Sequence, residues 1–379
     1  MSSITFVKRN GFASIIFDYI RFLAALAVVM GHGVARFFGP YSEVTNPTVF
    51  EKVFRVLLSG YGSPAVMVFF VLSGMFIGQS VIRQINNGSF RASNYFARRL
   101  IRLWLVLIPA LLLTYFIDTL GVTYLNSDGI YQENKVFGSI NLESLGVDVF
   151  FSNLFFLQTI IAPNLGTNGA LWSLANEFWY YIAFPLLYLA WFGKTPLLNK
   201  VFFLAFTSLT LYFIGVDIAA LFLVWLLGVM LLFMPTTSIF VRNYKKILTF
   251  STLLFIGTLL FVRLSSEFDS KYMERLVCGV SFAIFCFSLM KAEDNFAVTP
   301  RHEKLSYELA GFSYTLYLIH TPILCLCRAL LIDSEGYWSL NPVNALVFIC
   351  VVALILVLAY GLAKITEFQT HKIYKRFKL

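Results

Sequence analysis

The stretch Asp18-Tyr-Ile-Arg21-Phe-Leu-Ala-Ala-Leu-Ala-Val-Val-Met-Gly-His32 lies within an apolar run from about residue 14 to residue 38. A run of that length is a membrane-span candidate, since about 17–25 apolar residues cross a bilayer core as a helix. It follows Lys8-Arg9 and is too long for a signal-peptide core, so it is expected to be retained. Composition extends the same conclusion to the whole chain. Of 379 residues, 59% are apolar and 13% charged, against about 25% charged in soluble domains. So few charges cannot cover a soluble protein of this size, and the expected fold is an all-α polytopic membrane protein.

Ten spans are predicted, at 15–38, 62–82, 100–120, 171–192, 199–215, 217–234, 246–263, 274–291, 309–332 and 342–364, forming a single transmembrane domain over 1–379. Lysine and arginine placement orients them. Arg83, Arg91, Arg98, Arg99 and Arg102 surround the second connection, Arg242, Lys245 and Lys246 the sixth, and Lys372, Lys375, Arg376 and Lys378 the C-terminus. Residues 121–170 instead carry Asp128, Glu133, Glu143 and Asp148 against Lys135 alone. Both termini are therefore expected to be cytoplasmic, with 121–170 a long external loop. Its run from Val147 to Gln158 reads as an interfacial or re-entrant half-span, or as a lid. The +9 net charge fits a basic cytoplasmic face, with membrane lipids and not nucleic acid as the partner. The five cysteines lie in apolar stretches, and no Cys/His spacing resembles a metal site.

Ionisable groups inside a span are costly and face a protein interior. At roughly 100° per residue, His32 returns to within about 20° of Arg21 on one helix face, and Asp18 lies within about 60° of it. An imidazole there can act as a general base or pack against a neighbouring helix. Arg21 cannot shed its charge and needs an anion, either Asp18 or an anionic ligand. Counted along the helix, His32 stands about 21 Å above Asp18, in the outer half of the bilayer.

Arg99 and Arg102 share a helix face by i, i+3 spacing, which suits either phosphate binding or topological anchoring. In Trp172-Ser173-Leu-Ala-Asn-Glu177, Ser173 and Glu177 share a face. Glu177 could pair with His32, orient a sugar hydroxyl or hold helices together. Ser73-Gly74 reads as a close-packing pair. Ser313-Tyr314-Thr-Leu-Tyr317-Leu-Ile-His320-Thr-Pro322 places Ser313, Tyr317 and His320 on one face, with a kink expected at Pro322 and His320 in a supporting role.

Taken together these blocks resemble the membrane-bound acyltransferase 3 family, which includes O-antigen and exopolysaccharide O-acetylases. The matching blocks are Arg21-x10-His32, Phe69-Phe-Val-Leu-Ser-Gly74, Arg99-x-x-Arg102, Trp172-Ser-Leu-x-x-Glu177 with Pro185 downstream, and Ser313-Tyr-x-x-Tyr317-x-x-His320-x-Pro322. Glu367 stands near the place of the family's C-terminal glutamate, without its usual proline. The resemblance implies transfer of an acyl group, usually acetyl, from cytoplasmic acyl-CoA to a hydroxyl of a glycan or lipid-linked saccharide. It implies catalytic roles for His32 and Arg21, with Glu177 counted beside them, and coenzyme A phosphate contact by Arg99 and Arg102. Asp18, Ser73, Trp172, Ser173, Tyr314, Tyr317 and His320 are the supporting or substrate-binding candidates. No metal and no fused soluble domain is expected, and the expected home is a bacterial inner membrane. The rival reading is a transporter or flippase with Arg21, His32 and Glu177 as a relay; a glycan polymerase or ligase is a third.

Overall fold

The computed structural model describes residues 4–40, 44, 46–125, 131, 142–264, 270–332 and 336–379. The helices among them are α1 (Phe12–Phe38), α2 (Val49–Leu58), α3 (Gly62–Asn86), α4 (Ala92–Tyr124), α5 (Val147–Leu154), α6 (Trp172–Phe192), α7 (Leu197–Met230), α8 (Ser238–Leu264), α9 (Lys271–Ala292), α10 (Pro300–Ala310), α11 (Ser313–Leu331), α12 (Pro342–Ile365) and α13 (Thr370–Arg376). The protein is an all-α polytopic membrane protein, and among the described residues eight helical stretches are long and apolar enough to cross a membrane. Those eight take 197–233 as one stretch and omit α6, whose first two turns carry Asn176 and Glu177. The backbone of α7 does break where the sequence places the division between two spans: Gly215 adopts φ 79°, ψ 167°, in the region glycine alone enters freely.

The chain divides into two compact units. Unit 1 comprises Met1–Ala24, Ser63–Tyr95 and Asn176–Ala310; unit 2 comprises Ala25–Gly62, Phe96–Ala175 and Gly311–Leu379. In unit 1, α9 packs along α8 and α7. The α3–α7 crossing is close because glycines face backbone: a Cβ at Gly74 would overlap the Trp225 carbonyl oxygen, and one at Gly228 the Val71 carbonyl oxygen. This is the small-residue contact expected of Ser73-Gly74. Gly228→Ala is expected to cost about 1–3 kcal/mol, the scale of overpacking a tight interface, and thermal unfolding in detergent would measure it.

In unit 2, α11 packs along α12. The C-terminus of α1 is capped by Arg55, 2% exposed, which donates to the carbonyls of Phe38 (2.6 Å) and Gly39 (2.7 Å) and pairs with Glu51 at 3.2 Å. Its cation meets the negative end of the helix dipole and the orphan carbonyls there. At the N-terminus of α11, Glu367 accepts from the amide (3.1 Å) and hydroxyl (3.0 Å) of Thr315. A carboxylate from the far end of the unit thus does the work of a local N-cap.

Part of the loop expected to be external lies outside the described residues, at 126–130 and 132–141. The remainder is pinned by buried polar side chains. The half-span expected over 147–158 is helical only to Leu154, because Phe156 (φ 60°) and Thr159 (φ 63°) turn the chain. Asp118 of α4 accepts from the Thr167 amide (2.7 Å) and hydroxyl (3.0 Å), and Gln158 donates to Leu171 O at 2.8 Å.

Candidate active site

Proline determines much of the polar architecture. Pro322 has no N–H to offer the carbonyl four residues earlier, so Leu318 O needs another donor. Asn168 supplies it, donating to Leu318 O (2.8 Å) and to Thr114 Oγ1 (3.0 Å). Helix α11 therefore runs on past Pro322 to Leu331, and the bond replaced from outside lies within one turn of His320. Pro185 in α6 is treated alike in unit 1. The carbonyl it frees, Tyr181 O, accepts from Tyr95 Oη at 3.1 Å.

On this scaffold unit 2 brings together several of the predicted residues. His32 on α1 and His320 on α11 have rings 5.1 Å apart and 21° from parallel, with His32 Nδ1 2.8 Å from His320 Nε2. His320 is fully buried; its Nδ1 lies 2.7 Å from Tyr317 O, and Thr321 Oγ1 lies 3.1 Å from its Nε2. The Tyr317 hydroxyl meets Ser173 Oγ at 2.8 Å. A polar chain thus links His32, His320, Tyr317 and Ser173. Next to His32, Gly33 lets α1 lie close to α12, since a Cβ there would press on the Phe348 ring.

Arg36 is a neighbour that the sequence reading passed over. One turn beyond His32, it donates to His32 O at 3.2 Å. Its signal was present in the i, i+4 spacing from His32, but an arginine near a helix end reads equally as an anchor. Trp172 and Tyr314 begin α6 and α11. Arg99 and Arg102 lie in the first turns of α4, where Tyr374 of α13 donates to Arg98 O at 2.7 Å and sets its ring 5.8 Å from the Arg98 guanidinium.

Unit 1 holds the other candidates. Ser73 Oγ donates to Glu177 Oε1 at 3.0 Å, and the Tyr181 hydroxyl donates to the same oxygen. Trp225 Nε1 in turn donates to Ser73 Oγ at 3.1 Å. This gives the carboxylate two hydrogen-bond donors and orients it. Arg21 pairs with Asp18 at 3.5 Å, their side chains 21% and 31% exposed, which answers the cation's need for an anion locally. Asp18 also borders a cleft of about 330 Å³ with Arg9, Ser14, Glu303, Lys304 and Tyr307. Among the described residues no group of three or more His, Cys, Asp or Glu side chains could hold a metal.

A helical membrane protein with a hydrogen-bonded histidine pair, one ring buried and the other half-buried, and oriented polar groups on its helices is the class these features define. The acyltransferase domain family matches residues 15–363, and the chain belongs to this family of membrane proteins. It is 29% identical over 171 residues to an O-acetyl transferase of Shigella phage Sf6, covering 44% of this chain and 43% of that one. It is 27% identical over 179 residues to nodulation protein 10 of Rhizobium leguminosarum bv. viciae, covering 46% and 44%. An uncharacterized protein of Haemophilus influenzae is 28% identical over 148 residues, covering 39% and 56%. The chain thus spans about half the length of the curated relatives it matches. No solved structure matches it.

Proposed function

We propose that this protein is an integral-membrane O-acyltransferase, moving an acyl group, most simply acetyl, from acyl-CoA to a hydroxyl of a glycan or lipid-linked sugar. The observation that carries the reading is the His32–His320 hydrogen bond of 2.8 Å, which offers an oriented imidazole inside an apolar chain. The phage O-acetyl transferase supports the acyl group and the oxygen acceptor by similarity.

In the proposed reaction His32 removes the acceptor hydroxyl proton as that oxygen attacks the thioester carbonyl. The tetrahedral intermediate collapses with cleavage of the C–S bond. The proton passes from His32 to the departing thiolate, giving an ester and free coenzyme A. Arg21, through its charge, and Glu177, through its oriented carboxylate, serve as positioning groups for donor and acceptor. Arg99 and Arg102 receive the donor's phosphates at the cytoplasmic mouth. The topology that goes with this is ten spans with both termini in the cytoplasm of a bacterial inner membrane.

Inverted membrane vesicles given labelled acetyl-CoA test the reading. Release of free coenzyme A with alkali-labile label in a glycan or lipid fraction is the expected result. Its absence with acetyl, succinyl and longer donors would favour a carrier. Arg99→Ala and Arg102→Ala are each expected to raise the KM for acyl-CoA about tenfold, the worth of one charge-assisted phosphate contact, with kcat at saturation little changed. An unaltered KM would make them topological anchors.

A further inference from the structure

Which nitrogen of His32 is basic follows from partners that cannot exchange roles. Hydrogens on imidazole are assigned from the hydrogen-bond network, and here the network begins at a group with a single role. Tyr317 O is a carbonyl and only accepts. Its 2.7 Å contact with His320 Nδ1 therefore places a hydrogen on that nitrogen. A neutral imidazole carries one N–H and one lone pair, so His320 Nε2 is an acceptor. Facing it are Thr321 Oγ1 at 3.1 Å and His32 Nδ1 at 2.8 Å. The threonine hydroxyl can turn to suit, whereas the shorter contact requires His32 Nδ1 to donate. The lone pair of His32 then resides on Nε2, since the ring's hydrogen bond among the described residues is made through Nδ1.

We propose that His320 is a positioning residue that holds His32 in the Nδ1-protonated tautomer and so makes His32 Nε2 the atom that takes the acceptor's proton. The inference rests on the acyltransferase reading above. When Nε2 accepts the proton, the imidazolium charge spreads toward Nδ1–H. The bond to His320 becomes charge-assisted, a stronger class of hydrogen bond than its neutral counterpart. His320 can support that charge because its own N–H is anchored on Tyr317 O, and hydrogen bonds in such a chain polarise one another. The usual partner behind a basic histidine is a carboxylate. Here a second, neutral imidazole and a helix carbonyl take its place, an economical choice in an apolar interior where a further buried charge would be costly.

The full chain has four histidines, His32, His302, His320 and His371, few enough for nitrogen NMR on ¹⁵N-histidine-labelled protein in lipid nanodiscs. His32→Gln and His320→Gln assign the two paired rings. The expected spectrum shows Nδ1–H on both His32 and His320, opposite to the Nε2–H form that an imidazole in water prefers. A proton on His32 Nε2 at neutral pH would overturn the proposal. Activity gives a second test. His320→Leu removes the acceptor and is expected to lower kcat roughly 10²–10⁴-fold, the scale of general acid–base catalysis, with the donor KM unchanged. His320→Gln places an amide oxygen near the lost Nε2 and is expected to recover at least tenfold of that loss. Near-normal turnover in His320→Leu would also overturn it. Because the wild-type spectrum needs no variant, a folding failure of His320→Leu leaves the proposal testable. The two readings fail differently: an active His32→Ala removes the acyltransferase assignment, whereas an inactive His32→Ala beside an active His320→Leu removes only the relay.

Discussion

His32→Ala is expected to abolish acyl transfer while leaving the protein folded. His32 is partly buried, and its ring makes one side-chain hydrogen bond, to His320 Nε2. Truncation exposes that acceptor, but Thr321 Oγ1, 3.1 Å away, can still donate to it. The structural loss is then about one hydrogen bond, ~1 kcal/mol. The chemical loss is of a different order. General-base catalysis by a positioned side chain contributes roughly 10²–10⁴-fold, and a covalent acyl-histidine route would be lost outright. The measurement is single-turnover release of coenzyme A from purified protein in nanodiscs, with thermal unfolding as the folding control. A variant that keeps full turnover would show that His32 is only a packing residue.

Asn168→Leu is expected to be the most damaging change outside the histidine pair, through the protein's stability. It removes donors from Leu318 O and Thr114 Oγ1, 2.8 and 3.0 Å away. Thr114 keeps a bond of its own to Ala110 O, but Leu318 O has lost its helical donor to Pro322. An unsatisfied buried carbonyl costs about 1–3 kcal/mol, and with the second bond lost the expected destabilisation is about 2–4 kcal/mol. The cause can be isolated. Pro322→Ala restores an N–H at 322 and gives Leu318 O its ordinary partner, so Asn168→Leu should cost about 1–2 kcal/mol less in that background. Unfolding measured across the four-member cycle decides it. Strict additivity would mean that Asn168 acts through something other than the carbonyl Pro322 frees.

Both predictions turn on polar groups whose presence the sequence shows but whose pairing it conceals. Asp18–Arg21 could be read directly, because i, i+3 spacing puts both groups on one helix face and the ion pair forms there at 3.5 Å. Glu177 could be recognised as a carboxylate needing company, but its partners Ser73 and Tyr181 are separated from it by 104 residues and by one helical turn, and only the second separation is legible as spacing. Arg36 and Glu367 were passed over or left without a role. An arginine at a helix end and a glutamate after the last span look ordinary until Arg36 is seen on His32 O and Glu367 on the first turn of α11.

The sequence by itself determined the material of this protein: an all-α polytopic membrane chain and the family blocks from Arg21 to Pro322. Those features rest on composition, on runs long enough to cross a bilayer and on helical periodicity, all properties of neighbouring residues. Tertiary structure alone decided which buried polar groups satisfy one another. His32 and His320 are 288 positions apart, and Asn168 reaches Leu318 across 150. In an apolar interior every buried donor and acceptor must find a partner, but that requirement names no partner until helix packing brings the groups within about 3 Å.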